Sequence, residues 1–271
     1  MILSNPLKRA FFLGMRYLFS AFLFLFTLTV GIFLRKSRNF LQITCKYFQA
    51  GSITGEPRQI LKSVNFSDIC KSSYLRIVEP IYKDGNILLL ELAIINALVE
   101  LYNPQRIFEI GTFDGRTTLN IAFSSSKESK IFTLDLPEKK LSETKYHLLD
   151  GEDVFVRKSV PGERFISKSV EEFPEKRKIT QLYGDSASYN YKPYLDSIDF
   201  VFIDGSHSYE YVFNDTNIAL KLLKKGRGII VWHDYGVFAS VTKALNKIQK
   251  NNPHFELLRI EKTSLVYLKL G

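Results

Sequence analysis

The segment "RIFEIGTFDGRTTLNIA", residues 106–122, holds a strand-like run, two glycines and a helix-like run in succession. Residues 106–110 are apolar apart from their ends and follow the breaker pair Asn103-Pro104, which is typical of a short buried strand. From Thr117 onward the apolar spacing favours a helix. We therefore predict a strand, a glycine turn and a helix N-terminus. In an open parallel sheet this arrangement commonly binds a ligand, because free N–H groups and glycine allow close approach.

The spacing of this turn, E-x-G-x-x-x-G from Glu109 to Gly115, narrows the class of ligand. Dinucleotide-binding turns carry G-x-G-x-x-G, and phosphate-binding loops end in G-K-[ST]; the turn has neither pattern. The sequence thus predicts a nucleotide-like site without a phosphate cradle, and it disfavours an NAD-dependent enzyme.

Charge and cysteine content exclude several other classes. The formal net charge of +9 is spread along 271 residues, and no arginine-rich stripe alternates with aromatic residues, so nucleic acid is not an expected partner. The two cysteines, Cys45 and Cys70, form no CxxC pattern. This argues against a disulfide framework or a structural zinc site and suits a reducing compartment.

The N-terminal part of the chain contains an uncharged apolar run, "YLFSAFLFLFTLTVGIFL", at residues 17–34. At about 1.5 Å per residue, its length approaches the roughly 30 Å thickness of a bilayer core. We therefore expect residues 1–36 to form a hydrophobic helix that anchors the protein to a membrane, with the catalytic domain in the cytoplasm. A buried or interfacial helix, such as a homodimer contact, is the alternative. Basic residues flank both ends, so orientation stays open.

The rest of the chain divides into a linker and a domain. Residues 37–84 are polar and mixed, with the breaker "GSITGEP" at 51–57, and predict a linker with short helices. Residues 86–102 are apolar on nearly every side, which favours a helix that covers a sheet. We expect the catalytic domain to span residues 85–271.

Further strand-like runs alternate with helical stretches along this domain. The alternation predicts an α/β fold with a doubly wound, mostly parallel sheet covered on both faces. The tail, residues 255–270, predicts a hairpin that adds an antiparallel edge strand. The strand-like runs are 130–137, 178–188, 198–207 and 228–236, and the helical stretches are 209–225 and 240–250.

Every predicted strand before the tail ends in a carboxylate. Any one aspartate could merely cap a helix, but ligands of open α/β sheets bind outside these strand ends. A carboxylate after the second strand commonly accepts hydrogen bonds from ribose hydroxyls, and Asp135 fits that position. The residues concerned are Glu109, Asp135, Asp185, Asp204 and Asp234.

These motifs together carry a resemblance to a known family. Residues 109–115, "EIGTFDG", resemble the glycine motif of class I S-adenosylmethionine-dependent methyltransferases. The segments "FIDGSHSYEYVFND" (202–215) and "LLKKGRGIIVWHDYG" (222–236) resemble the small-molecule O-methyltransferases of the macrocin and catechol type and the cephalosporin-hydroxylase-like proteins. The resemblance covers residues 86–271. It departs at residues 226–228, where Gly-Arg-Gly replaces Pro-Gly-Gly, and at residues 138–177, which carry no family motif.

The resemblance implies S-adenosylmethionine as the cofactor, whose sulfonium needs no phosphate cradle. The glycine turn would contact the methionine part, with Glu109 organising the loop or facing the ammonium. Asp135 would hold the ribose, and Asp185 with Ser186 would face the adenine edge. The implied cofactor-binding residues are Glu109, Gly111, Thr112, Phe113, Gly115, Asp135, Asp185, Ser186 and Asp204.

Methyl transfer to oxygen is an in-line displacement, so the enzyme must align the acceptor and remove its proton. His207 stands where catechol-type relatives carry a basic residue, and histidine titrates near neutral pH. The alternative is that His207 orders the loop before the helix at Tyr209. His233 competes with it as a base, a metal ligand or a packed loop residue. The predicted catalytic residues are His207, Asp204 and His233.

The same strand ends resemble a divalent-ion site. In catechol-type relatives oxygen ligands collect there, which implies Mg²⁺ at Asp204, His233 and Asp234, although an imidazole ligand is unusual for Mg²⁺. The expected activity is methyl transfer to a hydroxyl of a small molecule or sugar. A catalytically inactive nucleotide-binding or scaffold protein on the same fold is the alternative from another class.

Overall fold

One sheet of eight strands organises the part of the chain that the computed structural model describes, residues 18, 19, 21, 22, 24–26, 29, 57–71 and 75–271. The strands are β1 (Lys62–Val64), β2 (Arg106–Ile110), β3 (Lys130–Asp135), β4 (Ile179–Tyr183), β5 (Phe200–Ile203), β6 (Gly228–Trp232), β7 (Leu258–Ile260) and β8 (Val266–Leu270). Their order is β1-β7-β8-β6-β5-β2-β3-β4.

The direction of the strands confirms the predicted Rossmann-like sheet. Strand β8 runs antiparallel to both of its neighbours, β6 and β7, and every other pair is parallel. The expectation that the C-terminal hairpin forms the edge is wrong. Strand β8 lies inside the sheet, and β1 pairs with β7 to become the edge strand.

Helices cover both faces of the sheet, as the alternation predicts. Helices of the second half of the domain pack on one face, where Val212, Leu222 and Leu245 join a core cluster. Helices of the first half pack on the other, through Leu92, Ile95 and Ile121. The α-helices are α1 (Phe66–Ile69), α2 (Leu89–Tyr102), α3 (Arg116–Ser124), α4 (Asp153–Lys158), α5 (Glu163–Ile166), α6 (Tyr209–Leu222) and α7 (Ala239–Asn251), and the 3-10 helices are Glu138–Glu143, Pro174–Lys178, Lys192–Tyr194 and Lys224–Gly226.

Strand β2 lies at the point where the strand order reverses. Strand β3 pairs on one side of it and β5 on the other. Open α/β sheets bind ligands in the crevice at such a switch point. Gly111 follows β2 and Asp204 follows β5, and a Cβ atom at Gly111 would lie 2.0 Å from the Asp204 carbonyl oxygen. Only glycine allows the two strand ends to approach this closely, and its φ of +99° also favours glycine.

The segment without a family motif, residues 138–177, covers the glycine turn. Gly162 N donates to Phe113 O at 2.9 Å, and Arg164 N donates to Asp114 O at 2.9 Å. The Arg164 guanidinium also donates to Asp114 Oδ2 at 2.8 Å. Helix α5 and the preceding Gly162 are therefore tied to the predicted cofactor loop by backbone and side-chain hydrogen bonds.

The expected membrane anchor and the predicted linker, both in the N-terminal part of the chain, need correction. Most of residues 17–34 lies outside the described residues, although 18–19, 21–22 and 24–26 are helical. The expected membrane anchor is corrected: among the residues that the structure describes, no helix combines the length and the apolar character needed to cross a bilayer. The chain divides into units 1–56 and 57–271, so the later part of the predicted linker contributes β1 and α1 to the second unit.

Candidate active site

Asp135, at the end of β3, holds the glycine turn in place. Its Oδ2 accepts a hydrogen bond from Phe113 N at 2.5 Å, and its Oδ1 accepts one from Leu136 N at 2.7 Å. Burial raises the pKa of Asp135 to about 6, although both backbone bonds oppose that shift. A carboxylate has about four lone-pair sites. Asp135 can therefore hold the loop and still accept hydrogen bonds from a ligand's hydroxyl groups.

Glu109 and Thr112 face into the protein. Glu109 is fully buried, and its Oε2 accepts hydrogen bonds from Thr118 Oγ1 at 2.5 Å and Thr133 Oγ1 at 2.6 Å. Its Oε1 has no hydrogen-bond partner among the described residues. Burial raises the pKa of Glu109 to about 8. Thr112 Oγ1 lies 2.6 Å from Thr133 Oγ1. Glu109 and the three threonines therefore form one hydrogen-bonded group that links the turn to β3 and α3.

Asp185, after β4, is anchored by the protein itself. It accepts hydrogen bonds from Tyr211 Oη at 2.7 Å, Lys145 N at 3.0 Å and Ala187 N at 3.1 Å. The carbonyl oxygen of Ser186 accepts a bond from Tyr191 Oη at 3.0 Å. The two predicted adenine-facing residues thus lie in a loop that hydrogen bonds within the protein hold in place.

His207 lies beyond the end of β5, between two carboxylates. Glu152 Oε1 is 2.7 Å from its Nδ1, and Asp234 Oδ2 is 2.8 Å from its Nε2. The imidazole also stacks on Phe238 with 4.1 Å between ring centres. Burial lowers the pKa of His207, but the bonds with Asp234 and Glu152 outweigh burial and raise it to about 10. The expectation of a histidine that titrates near neutrality therefore does not describe this arrangement.

His233, which follows β6, also contacts a glutamate through one ring nitrogen. Its Nε2 is 3.0 Å from Glu91 Oε2, and its Nδ1 is 3.1 Å from both Asp204 Oδ1 and Asp234 Oδ2. That Nδ1 is buried and makes no aligned hydrogen bond. Burial lowers the pKa of His233, and the charges of Asp234 and Asp204 raise it well above its usual value.

The structure brings the predicted catalytic and metal-ligating residues together. Ligand atoms of Asp204, His207 and Asp234 lie within 4.8 Å of one another, and His233 contacts both aspartates. The parallel pairing of β5 and β6 produces this convergence, because it places Asp204 and the His233-Asp234 pair at neighbouring strand ends. Such a cluster can hold a cation, move a proton, or do both.

The sequence analysis did not predict two residues of this cluster, Glu152 and Glu91. Glu152 is 9% exposed and lies in the segment without a motif. Glu91 is 3% exposed, and Ser264 N and Oγ each donate to its Oε1 at 2.8 Å. Glu91 is one of two acidic residues, with Glu100, in the apolar run at 86–102, and this was the available signal for it. No comparable signal marks Glu152.

Comparisons with known proteins agree with the fold. Residues 108–235 match the family model Methyltransf_24, described as a methyltransferase domain. An uncharacterised protein of Acanthamoeba polyphaga mimivirus is 44% identical over 63 residues, which cover 21% of this chain and 28% of that protein. The chain therefore aligns with less than a third of that relative's length.

Two solved structures share the fold. The SAH-bound methyltransferase PaMTH1 of Podospora anserina superposes with a TM-score of 0.51 and 14% identity, covering 69% of this chain and 81% of that chain. The O-methyltransferase TomG of Streptomyces achromogenes, involved in tomaymycin synthesis and solved with SAM, gives a TM-score of 0.50 and 16% identity, covering 76% and 94%. At these identities the likeness concerns the fold.

Proposed function

We propose that this chain is a class I S-adenosylmethionine-dependent methyltransferase and transfers the cofactor's methyl group to an oxygen atom of a small molecule or sugar. The observation that carries the proposal is the position of Asp204, which lies against Gly111 at the switch point of the sheet and in one cluster with His207. The choice of oxygen is supported by TomG, an O-methyltransferase that shares the fold.

The residues of the glycine turn fit the proposed cofactor. Gly111 lies against Asp204, and Gly115 lies under Phe165, where a Cβ atom would be 2.6 Å from the ring. Neither glycine can carry a side chain without displacing these neighbours, so the backbone of the turn is packed closely against the rest of the domain. We assign Gly111, Thr112, Phe113 and Gly115 to the methionine part, Asp135 to the ribose, Asp185 and Ser186 to the adenine edge, and Glu109 to support of the loop.

S-adenosylmethionine, when bound, supplies a methyl group on a positively charged sulfur. The chain must then place the acceptor oxygen in line with that methyl group and take up its proton. We assign the proton to Nε2 of His207, because Nδ1 faces Glu152. Nε2 accepts a proton only when the ring is neutral. The contact with Asp234 at 2.8 Å opposes that state, so this contact must be relaxed during turnover.

A divalent cation is the second expected cofactor, and the donor set fits it in part. Oxygen atoms of Asp204 and Asp234 suit Mg²⁺, but the third predicted ligand is the imidazole of His233. We therefore assign no step to Mg²⁺.

Binding and transfer can be tested separately. Titration calorimetry of the full chain with S-adenosylmethionine and with NAD⁺ should give binding of the first compound alone. Incubation with ¹³C-methyl-labelled cofactor and a metabolite extract should then give a labelled product whose carbon chemical shift identifies a methoxy group. A folded protein without affinity for S-adenosylmethionine would exclude the proposed activity, and a product methylated on nitrogen or carbon would exclude the choice of oxygen.

A further inference from the structure

We infer that Asp204, Asp234 and His233 form a metal site that selects a first-row transition ion, such as Mn²⁺, Co²⁺ or Zn²⁺, over Mg²⁺. The inference concerns the same site as the proposed methyl transfer, but metal selectivity is measured without turnover and stands or falls separately.

The first argument is the direction of the donor atoms. Nδ1 of His233 lies 3.1 Å from Asp204 Oδ1 and 3.1 Å from Asp234 Oδ2, so three potential ligand atoms converge on a small volume. The nitrogen has no aligned hydrogen bond to either oxygen, although it is buried. Buried polar atoms normally have a partner, and one without it calls for a bound ion or water.

The second argument is the way in which His233 is held. Its other nitrogen, Nε2, is 3.0 Å from Glu91 Oε2, and Glu91 is itself fixed by Ser264 N and Oγ and by Leu88 N. Metal-ligating histidines almost always donate their second N–H to a carboxylate or carbonyl group. Glu91 thus keeps the N–H on Nε2, so a metal ion that displaces the proton of Nδ1 would meet its lone pair between the two aspartates.

The third argument is charge. Four carboxylates surround the two imidazoles, because Glu91 and Glu152 add to Asp204 and Asp234. With all four carboxylates ionised, two negative charges would be left unbalanced even if both rings were protonated. A divalent cation supplies the missing charge, and its place is among the two aspartates and His233.

The fourth argument is the chemistry of the donors. Mg²⁺ prefers oxygen ligands and rarely accepts imidazole, whereas imidazole suits zinc, copper, iron and nickel. One nitrogen among two carboxylates therefore gives transition ions an advantage that an all-oxygen site would not give. We expect the preference to disappear when the nitrogen is removed.

The test uses untagged full-length protein, cleared of metal with EDTA and titrated with CoCl₂ or MgCl₂ by calorimetry and visible absorption. We expect one Co²⁺ per chain, visible d–d bands, and a dissociation constant at least tenfold lower for Co²⁺ than for Mg²⁺. His233→Asn replaces the nitrogen donor by an amide oxygen, so the Co²⁺ preference over Mg²⁺ should fall at least tenfold. Asp234→Asn should weaken both ions, and asparagine tolerates the φ of +68° at that position.

His254→Asn is the matched control, because His254 is an exposed histidine beyond α7. It should leave both titrations unchanged. Equal affinities for Co²⁺ and Mg²⁺, an unchanged Co²⁺ spectrum in His233→Asn, or no metal binding at millimolar concentration would each overturn the inference. Titration of the same metal-free sample with S-adenosylmethionine shows whether the cofactor site is intact, which separates this failure from failure of the proposed function.

Discussion

Glu152 Oε1 contacts two hydrogen-bond donors of the same residue, the backbone N–H of His207 at 2.6 Å and its ring Nδ1 at 2.7 Å. A carboxylate is an acceptor only, so the ring nitrogen on this side carries the hydrogen. The other oxygen of Glu152 accepts from Ser206 Oγ and Leu149 N, both at 2.9 Å. Glu152 thus connects residues 138–177, which cover the glycine turn, to the end of β5, and it sets the direction of Nε2 of His207.

We predict that Glu152→Ala frees the ring of His207. The substitution leaves a buried N–H without a partner, which costs about 1–3 kcal/mol of stability. The downfield Nδ1 proton should disappear from the NMR spectrum, and assignment is simple because the chain has only four histidines. Once an acceptor is known, kcat should fall at least about tenfold, since a positioned base contributes about a hundredfold or more, with unchanged cofactor affinity.

Two variants control this prediction. Glu152→Gln keeps one acceptor oxygen and should retain part of the NMR signal and part of the activity. Glu138→Ala removes an exposed carboxylate of the same segment, paired with Arg157 at 3.2 Å, and should have little effect on either measurement. Normal kcat in a folded Glu152→Ala protein would show that Glu152 does not position the base.

Gly111→Ala should abolish cofactor binding. The new Cβ atom would lie 2.0 Å from Asp204 O, and the φ of +99° is strained for alanine, so β2 and β5 must separate. Gly226→Ala is the matched control, because its φ of +67° is also positive but its surroundings are open. Calorimetry should show that Gly111→Ala loses cofactor binding. Thermal unfolding should show that Gly226→Ala changes stability only slightly. Tight binding by Gly111→Ala would place the cofactor elsewhere.

The sequence predicted the fold best where the signals are local. Strand β2 has the predicted bounds, since its apolar residues lie between breakers and it is paired on both sides. Edge strand β1 was missed, because its three residues pair with β7, which lies almost 200 residues away in the chain. Short edge strands gain their order from such non-local pairing and leave no periodic pattern.

The candidate site was predictable in its strand-end residues but not in their partners. Asp204, His233 and Asp234 follow strands that the apolar runs reveal, and parallel pairing then brings them together. Glu152 meets His207 across 55 residues, from a segment of short helices without apolar periodicity. Only the packed structure shows that this segment covers the turn.

Asp135→Ala should weaken S-adenosylmethionine binding. A hydrogen bond to a charged group contributes about 1.5–3 kcal/mol, so the dissociation constant should rise roughly tenfold to a hundredfold. Part of this effect comes from Phe113 N, which loses its acceptor. Asp199→Ala is the control, because Asp199 also accepts hydrogen bonds from backbone N–H groups, those of Gln105 and Arg106. Asp199 precedes β5 and so lies at the opposite end of the parallel strands from Asp135. An unchanged dissociation constant in Asp135→Ala would remove Asp135 from the cofactor site.

Stability should fall as the pH rises through the weakly acidic range, and Glu109 should account for part of the fall. Burial raises the pKa of Glu109 from 4.5 to about 8, so the folded protein keeps a proton that the unfolded chain releases. The unfolded state then binds fewer protons, and the free energy of unfolding decreases with pH. One pKa unit corresponds to about 1.4 kcal/mol, so Glu109 should contribute a loss of about 2 kcal/mol between about pH 5 and 6.5.

The pKa values of His207 and His233 are also raised, so as their unfolded rings begin to deprotonate near about pH 6.5 they add a smaller loss of the same sign, and the comparison of variants isolates Glu109. Asp135 and Asp215, with pKa values raised to about 6 and about 7, add losses of the same sign. Glu109→Gln cannot titrate, so its urea-unfolding free energy should decrease less with pH than that of the unmodified protein. Glu138→Gln should show the unmodified slope. Equal slopes for Glu109→Gln and the unmodified protein would mean that Glu109 is ionised in the folded state, with a cation or donor group at its unpartnered Oε1.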